Sequence, residues 1–227
     1  MTQPALTIYG IAASRAVRPL WAADELGLAY NHVSIAYAGG GARTPEMLAI
    51  NPNGHIPALT DDRAEGRVTV WESMACALYL ARVHGQADGT SITPATAAEE
   101  AEALRWSFWV VTEVEKDALT VLMHRVAMPH DQRKPELADA AEKRLQVPFA
   151  VLEQHLAAQQ AKGMAPDQTY LAASRFTVAD LCVASVVGWA KPAKELMAAF
   201  PLTNAWVDRC MGRPAHQALR QKAREGK

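Results

Sequence analysis

Short apolar runs alternate with helical patterns over the first 85 or so residues of the chain. The strand-like runs cover residues 6–9, 33–35, 58–60 and 68–70, and a polar turn separates the last two. Apolar residues at helical spacing cover 17–26 and 73–83, and Gly27 ends the first of these helices. A third, short helix opens at Thr44, which can cap it, followed by Pro45 in its first turn.

The resulting order is βαβαββα. It predicts an α/β domain in which a mixed four-stranded sheet carries packed helices. We place this domain at residues 1–84.

Strand signals vanish after a segment rich in Gly, Ser, Thr and Pro at 85–97, which indicates a linker. The rest, 98–227, predicts an all-helical bundle with helices at 98–126, 135–160, 178–189, 201–210 and 215–224. Pro148 should kink or split the second of these, since it removes a backbone hydrogen bond. The 178–189 helix is apolar on all sides apart from Asp180, so it should lie inside the bundle.

Net charge, the length of the apolar runs and the number of cysteines exclude several classes of protein. The formal net charge of −1 and the pI of about 6.7 argue against nucleic acid or an anionic membrane as the main partner. The longest apolar run, 181–190, is half of the ~20 residues that span a bilayer. The N-terminus lacks the features of a signal peptide, and three distant cysteines are unlike a disulfide scaffold, so we expect a cytoplasmic protein.

Two motifs, close together in the sequence, contain most of the candidate functional residues. Residues 51–59 read N-P-N-G-H-I-P-A-L, and 71–81 read W-E-S-M-A-C-A-L-Y-L-A. Together they resemble the glutathione transferase family, which carries N-P-x-G-x-[IV]-P-x-L followed by E-S-x-A-I-x-x-Y-L. The segments around 6–28 and F-T-V-A-D at 176–180 resemble further family motifs. The resemblance is dense over 5–83 and thin over 98–170.

The resemblance implies a thioredoxin-like, glutathione-binding N-terminal domain and an all-α C-terminal domain that contributes the second-substrate pocket. In the family the proline that matches Pro57 is cis, and the backbone of the residue before it, here Ile56, pairs with the cysteinyl part of glutathione. The residues that match Glu72 and Ser73 hold the γ-glutamyl end, where a helix N-terminus also attracts a carboxylate. His55 would reach the glycyl end or solvent.

Thiol activation has two candidate residues. A hydroxyl that donates to the sulfur favours the thiolate, and a helix N-terminus adds to the effect. Ser14, five residues after Tyr9 and four before Arg18, has the spacing of the theta-like and bacterial serine classes. Tyr9 stands where the alpha, mu and pi classes place their tyrosine, so it is the alternative. This loop has no cysteine and the chain has no Cys-x-x-Cys pair, which disfavours thiol-transfer and redox classes.

In the helical domain, Trp106, Trp109 and Glu113 share a helical face and are candidates for the second-substrate pocket. A tryptophan stripe at helical spacing is more often part of a core. Thr177 and Asp180 have the spacing of a capping box, which is a structural role. No cluster has metal-ligand spacing, so we expect no metal.

The resemblance thus implies a glutathione transferase that attacks a small apolar electrophile with the thiolate of glutathione, its co-substrate. It also implies a homodimer with a two-fold interface. A glutathione-dependent isomerase, dehalogenase or peroxidase on the same fold stays open, as does a non-catalytic binding protein. The natural electrophile and the exact class are not readable from the residues.

Overall fold

The computed structural model describes residues 4–225 and divides into two compact units. One contains residues 4–95 and 213–225, and the other contains 96–212. The first unit has a four-stranded mixed sheet in the order β2-β1-β3-β4, with β1 and β2 parallel and the other neighbours antiparallel. Its strands are β1 (Leu6–Tyr9), β2 (Asn31–Val33), β3 (Ala58–Arg63) and β4 (Gly66–Trp71). This confirms the predicted α/β sheet.

Ten α-helices complete the fold of the described residues. They are α1 (Val17–Glu25), α2 (Pro45–Ile50), α3 (Ser73–His84), α4 (Ala97–Trp109), α5 (Glu115–Leu122), α6 (Pro135–Ala161), α7 (Val178–Val187), α8 (Lys194–Ala199), α9 (Pro201–Met211) and α10 (Pro214–Arg224). The second unit contains α4 to α9 and no strand in the described part of the chain, as the predicted helical bundle requires.

The second strand was predicted two residues too late. It covers Asn31–Val33 rather than 33–35, because parallel pairing with β1 sets its register at Thr7↔Asn31 and Tyr9↔Val33. Its polar residues have partners that the apolar pattern could not reveal. Asn31 donates to the carbonyl of Pro4 at 3.2 Å, and His32 Nε2 lies 2.6 Å from the carbonyl oxygen of Gly10.

The predicted helix over 98–126 contains two wider, π-helical turns, at Val110–Val114 and Met123–Ala127. They interrupt the regular spacing on which a prediction of helix faces depends. Pro148 was predicted to kink or split its helix, and it does not split it, since α6 is continuous from Pro135 to Ala161. Pro148 is itself buried beside Leu145 and Phe149, so packing of this face offsets the lost hydrogen bond.

Helix α7 forms the core of the second unit, as predicted, and all ten of its residues are buried. Asp180 in its first turn closes the predicted capping box by accepting from the Thr177 N–H at 2.9 Å. The same carboxylate accepts from the Leu171 N–H at 2.9 Å and from Trp206 Nε1 at 3.0 Å. One buried carboxylate therefore joins the start of α7 to the preceding loop and to α9.

Helix α10 packs on α1 in the first unit. Arg213 pairs with Glu25 at 2.7 Å, and the ring of His216 lies 4.5 Å from that of Trp21. The contacts thus group the last helix with the first unit, although the sequence pattern assigned 98–227 to one domain. The sequence-based boundaries at 84 and 97 stay a prediction.

Gly10 brings two loops of the first unit together after β1. Its φ of 126° suits glycine, and a Cβ atom there would lie 2.8 Å from Cβ of Ala16 and 3.2 Å from Cβ of Ile56. Its N–H also donates to the Val33 carbonyl at 3.0 Å. The absence of a side chain at Gly10 therefore allows the turn before α1 to pack against the Ile56–Pro57 loop.

We expect Asp180→Ala to lower the free energy of unfolding by about 3 kcal/mol or more, because it leaves several buried donors without an acceptor. Chemical denaturation of the variant measures this. Gln146→Ala, on the exposed face of α6, is the control and should change stability by less than about 0.5 kcal/mol. Equal effects of the two variants would contradict the role of Asp180.

Gly66 offers a matched control for Gly10, since it has the same φ of 126° but open space within 4 Å of the position that a Cβ atom would take. Gly66→Ala should cost about 1 kcal/mol from backbone strain alone. Gly10→Ala should cost about 1–3 kcal/mol more, because Ala16 and Ile56 must move. Denaturation midpoints of both variants test this, and equal losses would show that the close packing at Gly10 is unimportant.

Candidate functional site

The Ile56–Pro57 loop has the backbone geometry that the motif implied. The peptide bond between the two residues is cis, and Ile56 is half-buried. Asn51, 3% exposed, holds the preceding turn: its Nδ2 donates to the His55 carbonyl at 2.9 Å and its Oδ1 accepts from the Asn53 N–H at 3.1 Å. The loop is thus fixed from within before any ligand binds.

Glu72 and Ser73 stand at the start of α3. Glu72 has φ 72°, and it is the one non-glycine residue among 4–225 with a positive φ. Such backbone strain costs about 1–3 kcal/mol and is concentrated at functional sites. Glu72 is exposed, whereas Ser73 is 5% exposed and begins the helix. The strained residue therefore presents a helix N-terminus, where the dipole attracts an anion.

Arg18 of α1 lies beneath this helix start. Its side chain is 1% exposed, and its Nη1 donates to Ser73 Oγ at 2.6 Å. Because a guanidinium only donates, Ser73 Oγ must accept, and its own proton is left to donate elsewhere. Arg18 thus adds a buried positive charge to the N-terminus of α3 and orients the Ser73 hydroxyl as a donor.

The sequence places Arg18 within a motif, but its role was not predicted from the sequence. The sequence signal that could have revealed it is an arginine next to the apolar residues Pro19, Leu20 and Trp21, all of which are buried in the structure. A charged residue is almost never fully buried unless it has a partner.

Ser14 lies in the turn just before α1 and is half-buried. Its hydroxyl donates to the carbonyl of Ile11 at 2.7 Å and accepts from the Ala16 N–H at 3.1 Å. The side chain therefore stabilises the turn that opens the helix. The same hydroxyl can donate to a ligand only by giving up the Ile11 carbonyl.

Tyr9 has a different environment at the end of β1. Its hydroxyl lies 3.4 Å from Thr60 Oγ1 on β3, a long contact within the sheet. The burial of β1 alternates, with Leu6 and Ile8 buried and Thr7 and Tyr9 half-buried, so Tyr9 lies on the less buried face of the strand. The hydroxyl of Tyr9 is therefore only weakly held in place.

His55 is exposed at the tip of its turn. Arg43, also exposed, lies close by, because a Cβ atom on neighbouring Gly54 would be 3.0 Å from Arg43 Cγ. Sequence reasoning did not single out Arg43. The arginine gives this edge of the unit a cationic character at neutral pH.

None of the cysteines is placed for thiol chemistry. Cys76, Cys182 and Cys210 are all buried and unbridged. Burial is the main cause, and the nearby charge of Glu72 the second, that raises the pKa of the Cys76 thiol well above its usual range. The thiol of Cys76 therefore stays protonated and is no nucleophile at neutral pH.

The three candidates on the long helix of the second unit have different surroundings. Trp106 is 4% exposed, donates from Nε1 to Glu102 at 3.0 Å and packs against His155 at 4.8 Å. Trp109 is half-buried and meets Trp106 edge to face at 4.9 Å. Glu113 is exposed, within the first π-helical turn. The structure thus brings the two tryptophans together, and Glu113 is exposed whereas Trp106 is buried.

The same helical stretch also contains an apolar stripe that was not predicted from the sequence. Leu104, Phe108 and Val111 are 42%, 69% and 44% exposed and follow one another at four- and three-residue spacing. Contiguous exposed apolar side chains commonly mark a contact surface. Among residues 4–225 we find no helix both long and apolar enough to cross a bilayer, and no cluster of His, Cys, Asp and Glu suited to a metal ion.

Comparison with known proteins agrees with this geometry. Residues 4–82 match the family model described as "Glutathione S-transferase, N-terminal domain", and residues 116–214 match "Glutathione S-transferase, C-terminal domain". The Escherichia coli K12 protein "Glutathione S-transferase GstB" is 32% identical over 153 residues, which cover 67% of this chain and 71% of that relative. "Glutathione S-transferase 3" of Zea mays is 29% identical over 93% of this chain and 91% of its own length.

Solved structures of similar fold include a theta-class glutathione S-transferase from Xanthomonas axonopodis pv. citri with glutathione bound. It has a TM-score of 0.75 and 29% identity, and the match covers 95% of this chain and 97% of that one. Ure2p in complex with glutathione has a TM-score of 0.80 at 20% identity, over 99% and 96% of the two chains, and it shows the fold alone. On these matches, the chain belongs to the glutathione S-transferase family.

Proposed function

We propose that this protein is a glutathione transferase that ionises the thiol of glutathione and directs it at an apolar electrophile. The observation that carries the proposal is the buried Arg18 guanidinium hydrogen-bonded to Ser73 at the N-terminus of α3. A hydroxyl donor, a helix dipole and a buried cation together favour one carboxylate at this place. The theta-class relative with bound glutathione, at 29% identity, supports glutathione as the molecule that carries it.

Glutathione would be held at several points of the first unit. The γ-glutamyl carboxylate lies at Ser73 with Glu72 beside it, and the Ile56 backbone before cis-Pro57 pairs with the cysteinyl part as an added strand does. His55, and with it Arg43, serves the glycyl carboxylate. No metal takes part in this scheme, because the thiolate is stabilised by hydrogen bonding.

Ser14 is the residue that we propose for thiol activation. Its hydroxyl already donates a proton to the Ile11 carbonyl, so the glutathione sulfur takes the place of that acceptor. A charge-assisted hydrogen bond contributes about 1.5–3 kcal/mol, enough to lower a thiol pKa by about one to two units. Tyr9 is the alternative, and its long contact with Thr60 leaves its hydroxyl available.

The electrophile would contact the helical unit. We retain Trp106, Trp109 and Glu113 as candidates for the second-substrate pocket and add the exposed stripe of Leu104, Phe108 and Val111. Of these, the half-buried Trp109 and the exposed stripe have apolar surface to offer. An apolar or aromatic electrophile fits such side chains best.

Other activities on the same fold are alternatives. A glutathione-dependent isomerase, dehalogenase or peroxidase needs the same thiolate and differs only in its second substrate. A non-catalytic glutathione-binding protein is a further alternative, since relatives named "Protein URE2" match over 85% of this chain and are not named as transferases. Turnover of a model electrophile such as 1-chloro-2,4-dinitrobenzene separates a conjugating enzyme from a binder. We also infer, from the family resemblance, a cytoplasmic homodimer.

Thiol activation is tested by the ultraviolet absorbance of bound thiolate against pH. In Ser14→Ala we expect the apparent pKa of bound glutathione to rise by about one to two units, because the donor to the sulfur is lost. The rate at neutral pH should fall about 10-fold or more in parallel. Tyr9→Phe is the matched hydroxyl deletion and should leave the titration unchanged. A shift in Tyr9→Phe alone would transfer the role to Tyr9, and an absence of glutathione binding in the unaltered protein would end the enzyme proposal.

The anion site is tested by Arg18→Met with two thiol substrates, glutathione and an analogue that lacks the α-carboxylate of its γ-glutamyl group. We expect the KM for glutathione to rise about 10-fold or more, because a charge-assisted contact is lost, and the KM for the analogue to change little. Arg213→Met controls for general loosening of α1, because it breaks the ion pair with Glu25 at the other end of that helix. Equal effects of Arg18→Met on both substrates would mean a purely structural role.

A further inference from the structure

His32 of the edge strand β2 is tied to the turn that follows β1. Its side chain is half-buried, and its Nε2 lies 2.6 Å from the carbonyl oxygen of Gly10. Because a carbonyl oxygen only accepts hydrogen bonds, Nε2 must carry a proton and donate it. The last residue of β1 in register with β2 is Tyr9. The side chain of His32 therefore holds a backbone atom just beyond the end of the paired strands.

The peptide that His32 holds has little steric control of its own. Gly10 has φ 126° and no Cβ atom, so sterics alone restrict its backbone less than that of any other residue type. Hydrogen bonds to β2 restrict it instead: the Gly10 N–H donates to the Val33 carbonyl at 3.0 Å, and the Gly10 carbonyl accepts from His32. Since the peptide unit is planar, holding the oxygen of Gly10 also orients the N–H and the Cα atom of Ile11.

Ile11 in turn anchors Ser14. The Ile11 carbonyl accepts from the Ser14 N–H at 3.0 Å and from Ser14 Oγ at 2.7 Å. When the hydroxyl turns from this carbonyl to a sulfur atom, the bond from the Ser14 N–H keeps the turn closed. The orientation of the peptide that His32 holds is therefore passed to the Ser14 hydroxyl through a single residue.

The close packing at Gly10 does not replace this hydrogen bond. Ala16 and Ile56 occupy the space around the position that a Cβ atom would take, which limits how far the chain can move there. Packing contacts restrict distance, whereas a hydrogen bond also restricts direction, because it weakens steeply as its angle departs from linear. A serine that activates a thiol must aim one O–H at one sulfur atom, so the direction of its turn matters as much as its place.

We propose that His32 is a positioning residue for thiol activation, which fixes the peptide after Gly10 and thereby aims the Ser14 hydroxyl at the sulfur of glutathione. The inference rests on the role proposed for Ser14, and His32 acts through that residue without contact with the sulfur. Its effect falls on the ionisation of the thiol rather than on the affinity for glutathione. The reason is that the proposed carboxylate contact at Ser73 and Arg18 uses none of these hydrogen bonds.

The reach of the side chain at position 32 tests the proposal. His32→Gln keeps an N–H donor the same number of bonds from Cα as Nε2, whereas the side chain of His32→Asn is one bond shorter and that of His32→Met has no donor. The measurement is the ultraviolet absorbance of bound thiolate against pH. We expect the Asn and Met variants to raise the apparent pKa of bound glutathione by about 0.5–1 unit and the Gln variant by less than about 0.3 unit.

Steady-state kinetics separate positioning from binding. In His32→Met the kcat at neutral pH should fall about three- to tenfold, in step with the thiolate fraction, while the KM for glutathione changes less than about twofold. Asn31→Ala is the matched control, because it removes the hydrogen bond from the same strand to the Pro4 carbonyl, and it should leave titration and kcat unchanged. Equal shifts in the Gln and Met variants, or a shift in Asn31→Ala as large as theirs, would overturn the proposal.

A double-mutant cycle shows whether His32 acts through Ser14. In a Ser14→Ala background, His32→Met should move the apparent pKa by less than about 0.3 unit, since no hydroxyl is left to aim. A full-sized shift in that background would refute the role of His32. If His32→Met does not fold, the Asn and Gln variants decide in its place.

The same cycle distinguishes this inference from the proposed function. A pKa shift in Ser14→Ala without any shift in the Met and Asn variants of His32 refutes the role of His32 alone. No shift in Ser14→Ala refutes the role proposed for Ser14, and the inference about His32 with it.

Discussion

The packing of the backbone at Gly10 is the constraint on which the candidate glutathione site depends. β1 ends there with a φ that suits glycine, and the space left by the missing side chain is taken by Ala16 and Ile56. Two loops far apart in sequence are thereby brought together: the turn that contains Ser14 and the loop that contains cis-Pro57. The carbonyl of the same glycine meets His32 at 2.6 Å, which links the junction to the edge strand. Any shift at this residue therefore moves the Ser14 turn and the cis-Pro57 loop, the two elements proposed to act on the thiol and the cysteinyl group, together.

A second constraint lies at the start of α3, where we propose that the γ-glutamyl end of glutathione binds. The strained conformation of Glu72 costs free energy that a glycine would not cost, and it turns the chain so that Ser73 begins α3 above Arg18. A fully buried guanidinium is also costly unless hydrogen-bonded. Both costs occur around one helix start, next to an exposed carboxylate and a hydroxyl free to donate. Strain and buried charge concentrated in one place are typical of a binding site, because such features lower the stability of the fold and are kept where they serve binding.

The sheet, the helical second half and the capping box could be predicted from the sequence, because each depends on the local spacing of residue types. It placed β2 two residues late, since the register of a parallel edge strand is set by β1 and by partners of Asn31 and His32 that lie elsewhere. It offered a kink or a split at Pro148, and only the split is excluded, because α6 continues through this buried proline despite one lost hydrogen bond. The π-helical turn at 110–114 alters which side chains share a face, so regular helical spacing linked Glu113 to Trp106 when one is exposed and the other buried. Arg18 was visible as a residue, but its role needed the contact with Ser73.

The two proposed substrates, glutathione and an apolar electrophile, differ in how far a sequence can reveal their binding sites. Glutathione has two carboxylates and a thiol, and each needs directional partners at fixed places, so the proposed glutathione site depends on particular residues such as Ser73 and a glycine at position 10. An apolar electrophile demands only area removed from water, which is non-directional and is satisfied by many side chains. One methylene more or less changes specificity by only about 1–3 kcal/mol. A glutathione site is therefore readable as a sequence motif, whereas an apolar surface such as the stripe of Leu104, Phe108 and Val111 needs no fixed sequence pattern.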